Sequence, residues 1–287
     1  MGTFVVGIDG SDEAADALRW ALALAGDEHR VHAVTAWTYP VAVGGGLGYG
    51  AGMAPAIPYE EIEAGAKATL DDTVSGVDAG VTELTSDTVM SASPSGGLVE
   101  AAKDADLLVV GTRRHSTLDR VFIGSVAIQC AHHAPCPFVA VPSSPPPVGD
   151  TIAVALDGSD SSPGALRWAA SQAIARDLRL RVISVWERIA WSRGSGVVQP
   201  DLTDEDRALD LLREQVEQIV PDAADRIEYR PVHAEEQVAS HLLDASEGAG
   251  MLVMGSRGRG GFRGLLLGSV SQRCLERSTI PVAIIRD

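Results

Sequence analysis

The chain repeats itself, and that limits its fold more than anything else in the sequence. Asp9-Gly10-Ser11-Asp12 returns as Asp157-Gly158-Ser159-Asp160, 148 positions later. Ala17-Leu18-Arg19-Trp20-Ala21 returns as Ala165-Leu166-Arg167-Trp168-Ala169. Downstream, Val109-Val110-Gly111-Thr112-Arg113 matches Val253-Met254-Gly255-Ser256-Arg257. Gly124-Ser125-Val126 matches Gly268-Ser269-Val270, with Cys130 against Cys274, now 144 positions apart. A period near 145 residues is a whole domain, too long for a solenoid repeat. The 287 residues are therefore expected to hold two copies of one domain. The tract Pro142-Ser-Ser-Pro-Pro-Pro-Val-Gly-Asp150 is stiff and extended and marks the join. It sets the domains at 1–143 and 150–287.

Within each copy, strands alternate with helices. In the first, Thr3 to Ile8 reads as a buried strand, with Ser11 and Asp12 offering an N-cap. Ala17, Leu18, Ala21, Leu22 and Ala25 recur at helical spacing, and Gly26 ends the run. Val31 to Trp37 reads as a strand, Tyr59 to Ser75 as a helix, Val81 to Met90 as a strand and Gly97 to Lys103 as a short helix. Leu107 to Val110, Gly124 to His132 and Phe138 to Val141 complete the order as strand, helix and strand. In the second copy, Thr203 with Asp206 resembles a capping box. Leu209, Leu212, Val216 and Ile219 form a core stripe, and Pro221 stops the helix. Such alternation predicts an α/β fold, doubly wound and Rossmann-like, with parallel sheets covered on both faces. Ligands of such sheets bind beyond the C-terminal strand ends, where both repeated polar motifs fall.

Composition narrows the partners. Lys plus Arg total 23 against 39 Asp plus Glu, a net charge of -16. Phosphate backbones and anionic membranes would repel such a chain, so neither nucleic acid nor membrane is expected as a partner. The start, Met1 to Ile8, has no basic region, and its apolar stretch ends at Asp9, too soon for a signal peptide. Three cysteines, odd and sparse, fit a reducing compartment. A cytoplasmic protein is expected. The charge divides unevenly. Up to residue 148 there are 7 basic and 18 acidic residues, against 16 and 21 beyond it.

The second copy contains the exception to this acidity. From Met251 to Arg273 stand Arg257, Arg259, Arg263 and Arg273, with no acid. The run Gly255-Ser-Arg-Gly258, nine residues, then Gly268-Ser269-Val270 leaves a buried strand and re-enters a helix. Glycines let backbone amides approach an anion, and a helix start adds unpaired N–H groups and a favourable dipole. The spacing is not a Walker A loop, which needs Gly-Lys-Ser/Thr. Nor is it a dinucleotide fingerprint, which would follow the first strand.

This pattern resembles the ATP-binding signature of the universal stress protein family. The placed Asp, the strand-end Trp37 and Trp186 and the final Cys/Thr-x-Pro strand are similar too, and the resemblance spans the whole chain as a tandem pair. It implies a five-stranded parallel sheet ordered 3-2-1-4-5 in each half. It implies that Asp157, with Ala155, Leu156 and Gly158, contacts the adenosine end, and that Val185 meets the adenine edge. A carboxylate suits ribose hydroxyls and repels phosphates. It further implies that Gly255, Arg257, Gly258, Gly268, Ser269, Val270 and Ser271 cradle the triphosphate, with magnesium. The resemblance also suggests that the two final strands pair antiparallel within the chain, and that chains pair again as a homodimer.

The first copy departs from the signature. Asp9, Ala36, Gly111, Gly124, Ser125 and Val126 are in place, but Arg114 stands where the second glycine belongs and Ala127 replaces the second Ser. A side chain there blocks backbone approach, or Arg114 contacts phosphate itself, so nucleotide binding by this half stays open. Cys130-x-His132-His133-x-x-Cys136 suggests a metal site, but Cys274 lacks such partners, and buried thiols are the expected reading. Neither a catalytic constellation nor a protein-held metal is expected. The Ser after each Asp-Gly is read as a cap, and the glycine-rich stretch Tyr39 to Pro58 as a mobile loop. The expected function is a nucleotide-dependent regulatory module of the stress response. A slow ATPase or other nucleotide-dependent enzyme, and a nucleotide-free structural protein, are the alternatives.

Overall fold

The computed structural model describes residues 2–39, 58–112, 124–187, 205–234, 237–258 and 266–286. Unit 1 takes in Met1–Thr112 and Gly124–Cys136, and unit 2 takes in Pro137–Asp287. The glycine-rich stretch 40–57, Arg114, Thr203, Arg259 and Arg263 lie outside the described residues.

Unit 1 contains β1 (Gly2–Gly7), α1 (Asp12–Ala25), β2 (His29–Trp37), α2 (Tyr59–Ser75), β3 (Leu84–Met90), α3 (Pro94–Ala101), β4 (Leu107–Thr112) and α4 (Ser125–His133). Its strands run β3-β2-β1-β4, all parallel, with Gly7 opposite both Val34 and Val110. Central β1 is apolar because both faces are covered: Phe4, Val5 and Val6 are buried. Right-handed crossovers put α1 and α2 on one face, and α3, whose connection steps back across the sheet, on the other. Helix α1 begins where the Ser11 hydroxyl accepts from the Ala14 N–H at 3.2 Å. It ends where Gly26 adopts φ 56° and donates its N–H to Leu22 O. Its inward face is small and apolar, with Ala14, Ala17, Leu18, Ala21 and Leu22 buried.

Two elements start elsewhere than periodicity predicts. The third strand begins at Leu84, not Val81, because residues before it form a turn: the Thr82 N–H donates to Ala79 O, and its hydroxyl donates to Gly26 O at 2.6 Å. Helix α3 begins at Pro94, not Gly97. Ser93 caps it by accepting from the Gly96 N–H at 3.1 Å, and Pro94 occupies the first turn. Gly97 is there for packing, since a Cβ on it would lie 2.8 Å from the Ala36 Cβ and 3.1 Å from the Ser91 Cβ.

Unit 2 contains β5 (Phe138–Pro142), β6 (Thr151–Ala155), α5 (Ser162–Ala175), β7 (Arg179–Glu187), α6 (Glu205–Ile219), a 3-10 helix (Pro221–Arg226), β8 (Ile227–Ala234), α7 (Val238–Ala245), β9 (Met251–Gly255), α8 (Ser269–Arg277) and β10 (Val282–Ile285). The strands of the second repeat run β8-β7-β6-β9-β10, all parallel, which is the order 3-2-1-4-5. The first repeat's last strand, β5, falls in this unit and pairs antiparallel with β10, Val282 opposite Ala140 and Ile284 opposite Phe138. Unit 1 by itself thus holds four of the five strands expected of the first half. Along α6, Leu212 and Val216 are buried and Leu209 and Ile219 half-buried, and the helix ends before Pro221. Among the described residues, no helix is long and apolar enough to cross a membrane.

Candidate functional site

In unit 2 the strand order reverses between β6 and β9. The chain leaves β6 toward β7 and leaves β9 toward β10, so the segments after these two neighbouring strands diverge and leave a crevice. Asp157 follows β6, and Ser256 to Gly258 follow β9. The structure brings the two segments together. A Cβ on Gly258 would lie 2.7 Å from Asp157 Oδ2. The Ser161 hydroxyl donates to Arg257 O at 2.6 Å, and the Ser159 hydroxyl to the same oxygen at 3.2 Å.

Asp157 is held from its other oxygen. Oδ1 accepts the Ser159 N–H at 2.9 Å and the Ser162 hydroxyl at 2.8 Å, while the Asp157 N–H donates to Ser162 Oγ at 3.2 Å. Gly158 takes φ 69°, the left-handed turn that glycine adopts without penalty. Behind the turn, the Leu156 N–H donates to Ile183 O, and Ala155 stands opposite Ile183. Val185, opposite Val232, lies two residues further along β7 and is half-buried.

The second arm of the crevice is the start of α8. Gly268 is its N-cap and makes no side-chain cap bond, so the first turn keeps its N–H groups uncapped by that residue. The Gly268 N–H donates to Ser256 O at 2.8 Å, and a Cβ on Gly268 would sit 3.5 Å from the Gly258 N. Ser269 is exposed, Val270 half-buried and Ser271 buried, the last donating its hydroxyl to Gly255 O at 3.0 Å. Asp157, Arg257, Gly258, Gly268 and the α8 start thus surround one place.

The three signature glycines differ in what they face. A Cβ on Gly255 would strike Ser161, 2.9 Å from its Cβ and 3.2 Å from its backbone O. That glycine lets β9 pass close under the start of α5. Gly258 faces the Asp157 carboxylate instead, and Gly268 the backbone of Ser256 to Gly258. Sequence reasoning passed over Arg286, which follows β10. The Ser256 N–H donates to Ile285 O at 2.9 Å, so Arg286 leaves its strand beside Arg257. Partial burial, and next the charge of Arg257, hold the Arg286 guanidinium below its ordinary pKa. The sequence signal was available: Arg286 is the residue after the last apolar run, in register with the motif strand.

In unit 1 the equivalent residues are arranged differently. Asp9 Oδ1 accepts the Ser11 N–H at 3.0 Å and also the Ser11 hydroxyl. Ser11 caps α1, whereas Ser159 caps nothing and turns to Arg257. A Cβ on Gly10 would lie 2.6 Å from the Thr69 methyl of α2. A Cβ on Gly111 would lie 2.5 Å from Glu13 O, the same close passage seen at Gly255. Ala36 lies against Gly97. Gly124 begins α4, with no atom of the described residues within 4 Å of where a Cβ would stand, Ser125 is exposed and Val126 half-buried. Residues 113–123, which join Thr112 to Gly124, lie outside the described residues.

The cysteines are unsuited to nucleophilic work. Burial pushes the Cys130 and Cys274 thiols up to about 12 and Cys136 to about 11. Among the described residues, no group of three or more His, Cys, Asp or Glu is placed to hold a metal ion.

Comparison with known proteins agrees with the doubled fold. The model of the universal stress protein family matches twice, over residues 1–142 and 149–286. A universal stress protein of Mycolicibacterium smegmatis is 33% identical over 195 residues, and one of Mycobacterium tuberculosis 31% over 197. Each match takes in 66% of this chain and 64% of the relative, so less than two thirds of either relative's own length is matched. Among solved structures, a universal stress protein from Archaeoglobus fulgidus superposes with TM-score 0.69 at 18% identity, covering 99% of this chain and 98% of its own. A functionally unknown protein from Pseudomonas aeruginosa does so with TM-score 0.67 at 15% identity, covering 100% and 92%. At these identities the two structures speak for the fold alone. With the family model matched on both repeats, the chain belongs to the universal stress protein family.

Proposed function

We propose that the chain binds ATP in unit 2 and acts as a regulatory module read by its occupancy. The observation that carries this reading is that Gly258 faces the Asp157 carboxylate beside the uncapped start of α8, so closely that a Cβ there would lie 2.7 Å from Oδ2. A side chain at position 258 would fill the space between ribose-binding carboxylate and phosphate-binding helix start. Glycine keeps that space open. Asp157 accepts from ribose hydroxyls; Arg257 and the Ser269 to Ser271 N–H groups take the phosphates. Magnesium accompanying the nucleotide would be held through the phosphates that Arg257 and the Ser269 to Ser271 N–H groups take, and would offset part of their charge. In unit 1 the Arg114 substitution weakens the corresponding site, so one nucleotide per chain is expected.

The test is mass spectrometry of ligand released from protein purified without added nucleotide, followed by titration with ATP. One equivalent per chain is the expected result. No released nucleotide together with no binding on titration overturns the reading, and two equivalents overturn the weakened first site. ADP formation in long incubations, lost in Gly258→Ala, would replace the regulatory module with a slow ATPase.

A further inference from the structure

The backbone of Ser256 joins three things. Its N–H donates to Ile285 O, which brings the end of β10 alongside. Its carbonyl accepts the Gly268 N–H, which brings the start of α8 alongside. The next residue, Arg257, has its own carbonyl fixed by two serine hydroxyls. Two arginines therefore leave adjacent strand ends next to an N-terminal helix turn, within a chain of net charge -16. Partial burial, and second to it the charge of Arg257, lower the pKa of the half-buried Arg286 guanidinium. Packing like charges together costs energy that a bound polyanion recovers, and the recovery grows with the anion's charge. The counterpart of Arg286 in the first repeat, 144 positions earlier, is Pro142, so only the second repeat has this pair.

We propose that Arg286 is a specificity-determining residue that, with Arg257 and the α8 start, selects nucleotides by their number of phosphates. This rests on the ATP reading above and adds the residue that ranks polyphosphates above nucleosides and monophosphates. No bond is made or broken; the discrimination is electrostatic and screened by salt.

The experiment is calorimetric titration of the full chain and of Arg286→Gln with ATP, ADP, AMP and adenosine, at low and high salt. The variant is expected to lose about tenfold in ATP affinity, less in ADP affinity, and under about twofold for AMP and adenosine. Arg286→Lys is expected to recover part of the loss. The salt dependence of ATP binding is expected to flatten in Arg286→Gln. Unchanged ATP affinity in the variant overturns the proposal, as does an equal loss for all four ligands, which marks a structural role. Failure of the wild-type chain to bind ATP overturns the nucleotide reading itself and this proposal with it. Binding by wild type with no change in the variant overturns this proposal alone.

Discussion

At the scale of single residues, the signature glycines differ in what they face, Gly255 the Ser161 backbone and side chain and Gly258 the Asp157 carboxylate. Gly255→Ala places a methyl against Ser161 Cβ and backbone O, which cannot retreat from the start of α5. Overpacking of this kind costs about 1–3 kcal/mol, and urea unfolding is expected to show it. Among the described residues, Gly258→Ala meets only the tip of the Asp157 side chain. Its stability is expected to stay within about 0.5 kcal/mol of wild type, while ATP affinity falls by at least about tenfold on titration. The reverse outcome, a stable Gly255→Ala that loses nucleotide, would exchange the two roles. Sequence spacing placed both glycines in one motif because it records position along the chain. What each Cα faces depends on a segment about 100 residues earlier, and only the fold supplies that. Arg286 was missed for the same reason: it is 29 positions from Arg257 in sequence but beside it across the β9–β10 ladder.

At the scale of elements, caps and cross-strand charges make their own predictions. Ser11→Ala removes the bond to the Ala14 N–H and is expected to destabilise unit 1 by about 1 kcal/mol, read as a shifted urea midpoint. Ser159→Ala, its counterpart in the repeat, caps no helix and is expected to leave α5 intact. In unit 2, Glu228 on β8 faces Arg181 across the strand pair. Burial pushes its carboxyl up, but the bonds from Arg181 and Arg230, each 2.9 Å, outweigh this and hold it below the ordinary glutamate value of 4.5. Because the folded pKa is depressed, the stabilisation is complete above that value and is lost as pH falls through the folded pKa. Glu228→Gln is therefore expected to cost about 1 kcal/mol at neutral pH, a gap that closes in acid. A gap independent of pH would show that packing, not charge, holds Glu228. Helices with a clean period were legible from sequence: α1 buries Ala17, Leu18, Ala21, Leu22 and Ala25, the residues that recur at helical spacing. Boundaries set by side chains elsewhere were not. The start of β3 is fixed by Thr82 bonding to the end of α1. The start of α3 is hidden by Gly96 and Gly97, which read as breakers until Ala36 is seen packed against Gly97.

At the scale of the whole molecule, the doubling was legible because the repeated text is long and its offset nearly constant. The order β8-β7-β6-β9-β10 needed more than alternation, which leaves strand order undetermined; the family resemblance supplied it. The proline tract, legible as a join, is a poor guide to where the chain could be divided. Strand β5 comes before the tract in sequence yet pairs with β10 after it. A fragment beginning at residue 150 would leave Val282–Ile285 with one flank unpaired, an apolar edge ready to recruit another strand. Light scattering is expected to find that fragment self-associated, and one beginning at Pro137 less so. Equal behaviour of the two would show that β5 does not protect the edge. A gene duplicated in this way is not simply two genes end to end. Once the tail of the first copy has become the selvage of the second copy's sheet, the later half has lost its independence, and recombination at the obvious seam would fray it.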